Sequence, residues 1–386
     1  MVRRDDYGGR EQAYVKHYVL EHYLQQLALK VGRFQPGTTL NYIDGFSGPW
    51  QHATEDLRDT SPHVALTKLL TAKRDLEAAG TPFQVRGFFV EKDATAHGRL
   101  RELLGSFEGA YAEAHVGEFE AHLEAARRFA GGGPKPFAFI FIDPTGWTGY
   151  PLAAITPLLR VRPCEVLINF MTKDISRFID DKSSNARHSF VELFGDAEPL
   201  EAWRELEGTD REDKIVETYC DRLRRAGGFD FTGATIILNP QHDRTHYHLV
   251  YATRSLHGLI AFRETERRAM SEQIAARAEA RQQRRVDGGQ QELFAAPVME
   301  TPYMEQLRER YQARACGVVE EAIRARGRVD FDDLITLALA YPMTSLADLK
   351  GWLDELRAAG RIDVVGLGHG QRALKVRSGH AVVWRR

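Results

Sequence analysis

The sequence predicts an α/β fold: a mostly parallel sheet covered by helices on both faces, closed by an antiparallel hairpin and followed by a small second domain. Three observations predict it. Short runs rich in Val, Ile, Phe and Tyr alternate with longer stretches at helical spacing through the first 226 residues. The last two runs, "GATIILNP" and "HYHLVYATRS", are joined by a connector too short for a parallel crossover, which needs about a dozen residues. Beyond a Gly- and Pro-containing stretch at 287–302, the pattern changes to helices ending in a glycine-rich hairpin.

The first helix is predicted over 11–30, where Tyr14, Val15, Tyr18, Val19, Tyr23, Leu24 and Leu27 recur at helical spacing. "TTLNYIDGFSGPW" reads as a strand breaking into a glycine-containing turn. The helix in "SPHVALTKLLTAKRDLEAAG" has Ser61 as N-cap, Pro62 at the first helical position and Gly80 past its end. "FQVRGFFVEKD" is a second strand ending on Glu91, and 94–104 is helical. "YAEAHVGEF" is a short third strand, with a helix over 119–130. After the "GGGPKP" loop, "FAFIFIDPTGW" is a fourth strand that stops at Asp143-Pro144, because proline cannot continue the ladder. "CEVLINFM" is a fifth strand, followed by a polar helical region over 174–226. A helix over 255–286 runs into the arginine- and glutamine-rich "RAEARQQRRVDGGQQ" and breaks at Gly288-Gly289. The expected organisation is therefore a domain at 1–270, a helix end and linker at 271–302, and a domain at 303–386. The last holds helices near 303–326, 331–340 and 345–359, with Ser345 as N-cap and Gly360 as stop. Its hairpin "RIDVVGLGHGQRALKV", with Gly366, Gly368 and Gly370 at the tip, completes an order that resembles a winged helix.

Composition sets the bounds. With 386 residues, 43% of them hydrophobic and 27% charged, the chain can bury a full core. A net charge of −2 excludes a global basic field, so any nucleic-acid surface must be local. No apolar run approaches the ~20 residues that span a bilayer, and "MVRRDDYGGREQ" lacks the apolar core of a signal peptide. Cys164, Cys220 and Cys316 have no paired spacing, which argues against a zinc knuckle or a disulfide framework. The expectation is a cytoplasmic protein without a membrane span.

Strand–helix units closed by an antiparallel hairpin are the chain order of class I methyltransferases, a Rossmann-like sheet. In open α/β sheets the ligand sits at the carboxyl ends of the strands. There, "YIDGFSG" places Asp44 at the end of the first strand, followed by Gly45, Phe46 and Gly48, whose backbone can approach a cofactor closely. S-adenosylmethionine pockets use such a turn for the methionine part, with the acid receiving the ammonium. Glu91 closes the second strand, where its two oxygens suit both ribose hydroxyls. Gly117-Glu118 closes the third; Glu118 suits the adenine amino group and Phe119 the ring. Asp143-Pro144 closes the fourth; singly, each reads as a solvated strand-end acid, and four in register with the alternation point to the cofactor.

"NYIDGFSGP", "FFVEKD", "FIFIDPTGW" and "LINFM", with the tyrosine-rich first helix, resemble the three-Cys-motif partner proteins (TcmP) over roughly residues 10–270. The resemblance implies a bacterial class I methyltransferase fold and a separate partner that carries three clustered cysteines and is similar to radical S-adenosylmethionine enzymes. The three cysteines of this chain are not that motif. The family pattern has Gly after Pro49; here Trp50 stands instead, a bulk at the cofactor mouth.

Methyltransferases acting on nucleobase amines end the fourth strand with Asp/Asn-Pro-Pro-aromatic, so that carboxylate and carbonyl take the amine's hydrogens and the ring stacks on the base. "DPTGW" keeps Asp143-Pro144, lacks the second proline and offers Trp147 one place late. Asp143, Pro144 and Trp147 are thus the candidate catalytic residues; the competing reading has Asp143 only shape the cofactor pocket. Asn169, ending the fifth strand, is a lesser candidate. His242, His246 and His248 lack a paired acid or Cys in a second element, so they read as a solvated hairpin and no metal is expected.

"QRALKVRSGHAVVWRR" carries five basic residues and no acid, making Arg372, Lys375 and Arg377 candidates for phosphate contact. The preceding helix carries Asp348, Asp354 and Glu355, which suits protein docking instead. The arginine run 277–285 is a second local basic surface or a solvated helix face. "QQELF" resembles the Q-x-x-L-F peptide by which bacterial repair proteins dock the sliding clamp, with Gln290, Leu293 and Phe294 as contacts. The leading expectation is a methyltransferase working on or near nucleic acid with its radical-enzyme-like partner, in DNA repair or modification. The alternatives are a non-catalytic adaptor bringing that partner to DNA, and a small-molecule or protein methyltransferase.

Overall fold

The computed structural model describes residues 2–48, 57–181, 183–287, 302–367 and 373–385. After one 3-10 turn at Arg4–Tyr7, α1 (Glu11–Phe34) leads into β1 (Thr38–Asp44). There follow α2 (Ser61–Ala78), β2 (Phe83–Glu91), α3 (Ala94–Gly105), β3 (Tyr111–Val116), α4 (Phe119–Ala130) and β4 (Pro136–Ile142). Next come α5 (Leu152–Leu159), β5 (Cys164–Phe170), α6 (Thr172–Phe178), α7 (Ser184–Phe194), α8 (Leu200–Arg204) and α9 (Gly208–Gly227). The strands β6 (Phe231–Leu238) and β7 (Thr245–Thr253) precede the long α10 (Leu256–Asp287).

Seven strands form one sheet in the order β3-β2-β1-β4-β5-β7-β6. Every pair from β3 to β5 is parallel, and β7 runs antiparallel to both neighbours. The predicted α/β class and the antiparallel closure are both observed. Residues of β1 and β5 are buried throughout, as expected for strands covered on both faces. Period-two alternation sends Ile43, Ile140 and Ile168 toward α5 and α9, while Tyr42, Phe139, Phe141 and Leu167 face α1, α2 and α10. Helix α5 has no counterpart in the sequence reading, because its eight residues contain Pro157 and follow directly on the Asp-Pro break.

The C-terminal part consists of α11 (Pro302–Arg326), β8 (Arg328–Asp330), α12 (Phe331–Leu339), α13 (Leu346–Ala358), β9 (Ile362–Val365) and β10 (Ala381–Trp384). Its strands make a separate antiparallel sheet in the order β8-β10-β9. Ser345 and Asp348 form a reciprocal capping box at the start of α13, and Gly360, at φ +71°, ends it. The expected hairpin is corrected in one respect. The strand that pairs with β9 is "AVVW", not "RALKV". Val382 buries there between two neighbours, whereas Lys375 and Arg377 lie exposed in the connecting segment. β8 is too short to show a period in sequence.

This part is fastened to the large sheet by a buried cation. Arg263 of α10, 1% exposed, donates to the Leu339 and Ala340 carbonyls at the end of α12, to the Ala234 carbonyl of β6, and to Glu266 at 2.7 Å. Around it Ile236, Leu238 and Met270 pack with Met304, Leu307 and Tyr311. No helix among the described residues is long and apolar enough to cross a membrane.

Candidate functional site

The carboxyl ends of β1 to β4 open on two adjoining hollows. The turn after β1 is held from three sides. Gly45 N–H donates to the Phe141 carbonyl at 3.1 Å, and Ser47 N–H donates to the Val90 carbonyl at 2.9 Å. Phe46 N–H donates to Asp44 Oδ1 at 3.1 Å. Gly45 has no room for a side chain, since a Cβ there would lie 2.8 Å from the Phe119 ring. The turn therefore rests on Phe119, which is buried and tilted against Phe46 at 5.6 Å.

The larger hollow, about 580 Å³, is lined from β1 by Gly45, Phe46 and Gly48, from β2 by Glu91 to Asp93, and from β3 by Gly117, Glu118 and Phe119. Pro144, Thr145, Gly146, Thr148 and Gly149 close it from the β4 side. Its size is that of small-molecule and cofactor sites. Glu91 is 6% exposed and its Oε1 accepts Asp93 N–H at 2.8 Å; Oε2 has no protein partner among the described residues. Asp93 in turn caps α3 through Ala96 N–H at 2.8 Å. Glu118 is exposed, 3.9 Å from Lys92, a pair of little energetic weight.

The smaller hollow, about 200 Å³, shares Phe46 and Gly48 with the first and is lined by Arg10, Lys16, His17, Asp59, Ser61 and Asp143. Asp143 pairs with Lys16 and accepts Asn169 Nδ2 at 2.7 Å; the Lys16 and Asp143 side chains are 13% and 12% exposed. Asn169 Oδ1 is buried without a partner among the described residues. His17 meets the Tyr7 hydroxyl at 2.8 Å, and burial holds its imidazole well below the usual histidine range.

Asp44 faces inward and is absent from both linings. Its carboxylate accepts Ser61 Oγ at 2.8 Å and the Tyr42 hydroxyl at 3.3 Å, beside the Phe46 N–H. Burial pushes it up to about 7, with the Ser61 bond opposing and the Asp143 charge adding. In this geometry Asp44 shapes the turn. The candidate residues after β4 diverge: Asp143 faces the smaller hollow, Pro144 the larger, and Trp147 packs on Phe190 at 4.9 Å and Phe178 at 5.7 Å, 9% exposed. His248 is buried against Thr172 Oγ1 at 2.7 Å rather than solvated. No group of three or more His, Cys, Asp or Glu suited to a metal occurs among the described residues.

Lys375 and Arg377 are exposed, and Arg377 N–H donates to Asp332 at 3.0 Å. Pro49, Trp50, Gln290, Leu293, Phe294 and Arg372 lie outside the described residues. Sequence reasoning missed Arg10, Lys16 and His17. The signal was present in "YVKHYV", where a Lys-His pair interrupts an otherwise apolar helix face.

No protein-family model and no curated protein matches the chain. Among solved structures, a protein from Legionella pneumophila is similar at 11% identity over 62% of this chain and 85% of that one, TM-score 0.35. An O-methyltransferase family protein from Burkholderia thailandensis is similar at 16% identity over 64% of this chain and 60% of that one, TM-score 0.29. A loganic acid methyltransferase with SAH is similar at 10% identity over 74% of this chain and 91% of that one, TM-score 0.30. At these scores they are likenesses and no more; the strand order defines the fold.

Proposed function

We propose that the chain is an S-adenosylmethionine-dependent methyltransferase that holds its cofactor in the larger hollow and receives the methyl acceptor in the smaller one. The observation that carries this reading is Glu91. It is a nearly buried carboxylate at the end of the strand beside β1, oriented through one oxygen by Asp93 N–H and, among the described residues, open at the other. A ribose diol satisfies such a group. Glycines on three walls admit the backbone-close approach a nucleoside needs, and Glu118 of the same lining would accept from the adenine amino group. The donor set fits the cofactor, which when bound supplies an electrophilic methyl group on sulfur.

The chain's own residues orient that group. Phe46 and Gly48, common to both hollows, form the boundary between cofactor and acceptor. The resemblance to three-Cys-motif partner proteins extends the reading to action beside a radical-enzyme-like partner and nucleic acid, which exposed Lys375 and Arg377 support. One observation favours the adaptor alternative. Asp143 already accepts from Lys16 and Asn169, and Trp147 is turned into the core, so neither waits for a base.

Calorimetry with S-adenosylmethionine and S-adenosylhomocysteine tests the proposal. Binding to the native chain is expected, weakened at least about tenfold in Glu91→Gln, since hydrogen bonds to a charged group contribute about 1.5–3 kcal/mol each. No binding of either compound ends this reading. If both bind, transfer of labelled methyl to DNA, RNA or a partner protein separates catalyst from adaptor.

A further inference from the structure

A third cavity, about 520 Å³, lies on the far side of the sheet from the cofactor cleft, between α9, the outer edge of β6 and the α11–α12 layer. Four consecutive residues of β6, Phe231 to Ala234, line it. Side chains alternate across a strand, so a wall made of four in a row is the strand's edge and not one of its faces.

Which backbone groups point into it follows from the ladder. β6 pairs antiparallel with β7, Thr232 opposite Ala252, Ala234 opposite Val250 and Ile236 opposite His248. The Ala234 carbonyl accepts Arg263 and the Ile236 carbonyl accepts Gln273, so these residues turn their polar groups away from β7. In an antiparallel pair both groups of such a residue face outward, and every second residue does so. Thr232 therefore presents N–H and C=O, and Ala234 its N–H, to the cavity, with no partner among the described residues. Farther along, Gln273 also takes the Leu238 N–H at 2.8 Å. The edge is thus capped by side chains at one end and left open where the cavity is.

We propose that this groove is a docking slot for an extended, basic segment of a partner protein, which adds to β6 as a strand at Thr232–Ala234. Unpaired donors and acceptors at strand spacing match an extended backbone. Val216 and Leu337 give the added strand apolar walls. Charge selects a basic residue at one end: Asp213, Glu217 and Asp221 of the lining are already paired with Arg310, Arg314, Arg224 and Arg225, which leaves Asp230. Asp230, exposed and with no ion pair among the described residues, is positioned to receive a Lys or Arg. This inference stands apart from the cofactor reading.

A phage library of random 12-residue peptides panned on the full chain tests it, followed by a fluorescein-labelled synthetic copy of the most enriched peptide. The expected winners alternate apolar and polar residues, carry Lys or Arg, and slow amide exchange at Thr232 and Ala234. Thr232→Pro removes the open N–H at an edge position where proline is tolerated, and weakens binding at least about tenfold. Thr232→Val keeps the N–H and binds within about twofold. Ala340→Trp fills the groove from an exposed position without touching β6, and weakens binding similarly even if the proline variant misfolds. Absence of enrichment, undiminished binding to both Thr232→Pro and Ala340→Trp, or unslowed Thr232 and Ala234 amides overturns the proposal.

Discussion

Replacing Asp44 by Asn removes one titratable group from beneath the turn after β1 while keeping its shape. The carboxamide oxygen still accepts Phe46 N–H, and its nitrogen can donate to the Ser61 or Tyr42 hydroxyl. Burial raises the folded-state carboxyl from 3.8 to about 7. The folded protein thus holds this proton more tightly than the unfolded chain. The resulting stabilisation is complete below about pH 4 and is lost as pH rises through about 7. At about 1.4 kcal/mol per pH unit, the whole window amounts to about 4 kcal/mol. Urea unfolding of both proteins at about pH 5, 6, 7 and 8 reads the effect. Native stability minus that of Asp44→Asn is expected to fall by about 1.4 kcal/mol per unit between pH 5 and 7, then level off. Parallel curves refute the reasoning; an opposite slope shows that Ser61, Tyr42 and Phe46 outweigh burial.

Trp147→Ala is expected to cost about 3–5 kcal/mol of stability by emptying the space against Phe178 and Phe190, while leaving S-adenosylhomocysteine affinity within about twofold. Loss of methyl transfer at unchanged stability would instead put the indole on a substrate. Arg263→Met leaves Glu266 buried and unpaired and frees the Ala234, Leu339 and Ala340 carbonyls, lowering stability by about 3–5 kcal/mol. Arg263→Met/Glu266→Leu is expected to recover part of that loss, and a double variant as unstable as the single one contradicts the account. Gly45→Ala forces Phe119 to move, costing about 1–3 kcal/mol and weakening cofactor binding together. Calorimetry that finds native affinity in a fully folded variant counts against the Phe119 support of the turn.

The sheet was legible because its strands are long apolar runs and its helices carry a period, as in "PFAFIFI" and α1. The chemistry at strand ends was legible in part. Glu91 and Glu118 line the larger hollow because strands deliver their last residues to the sheet's carboxyl edge. Direction was not legible. Asp44, Asp143 and Trp147 stand at the expected places in the chain, yet one faces inward, one the smaller hollow and one the core. Side-chain direction after a strand depends on loop backbone that no period encodes. The contribution of α1 was equally hidden, because Lys16 and Asp143 are far apart in sequence and meet only once the helix docks.

That meeting bears on what the smaller hollow can accept. A carboxylate with two donors already in place offers little to an incoming amine. An amine acceptor must displace the Lys16 ammonium, breaking a nearly buried ion pair and leaving one cation without its partner. An acceptor that is itself anionic leaves that pair intact and adds to Lys16 on the side away from Asp143; Arg10 on the same wall is already paired with the buried Asp59. Asn169 Oδ1, without a partner among the described residues, is a further acceptor near Asp143, and a hydroxyl donor would satisfy it. The geometry thus ranks acceptors by charge before it ranks them by shape. Lys16→Met separates the two cases: it opens Asp143 to an amine and removes the cation an anionic acceptor would use. Transfer of labelled methyl should therefore rise in the first case and fall in the second.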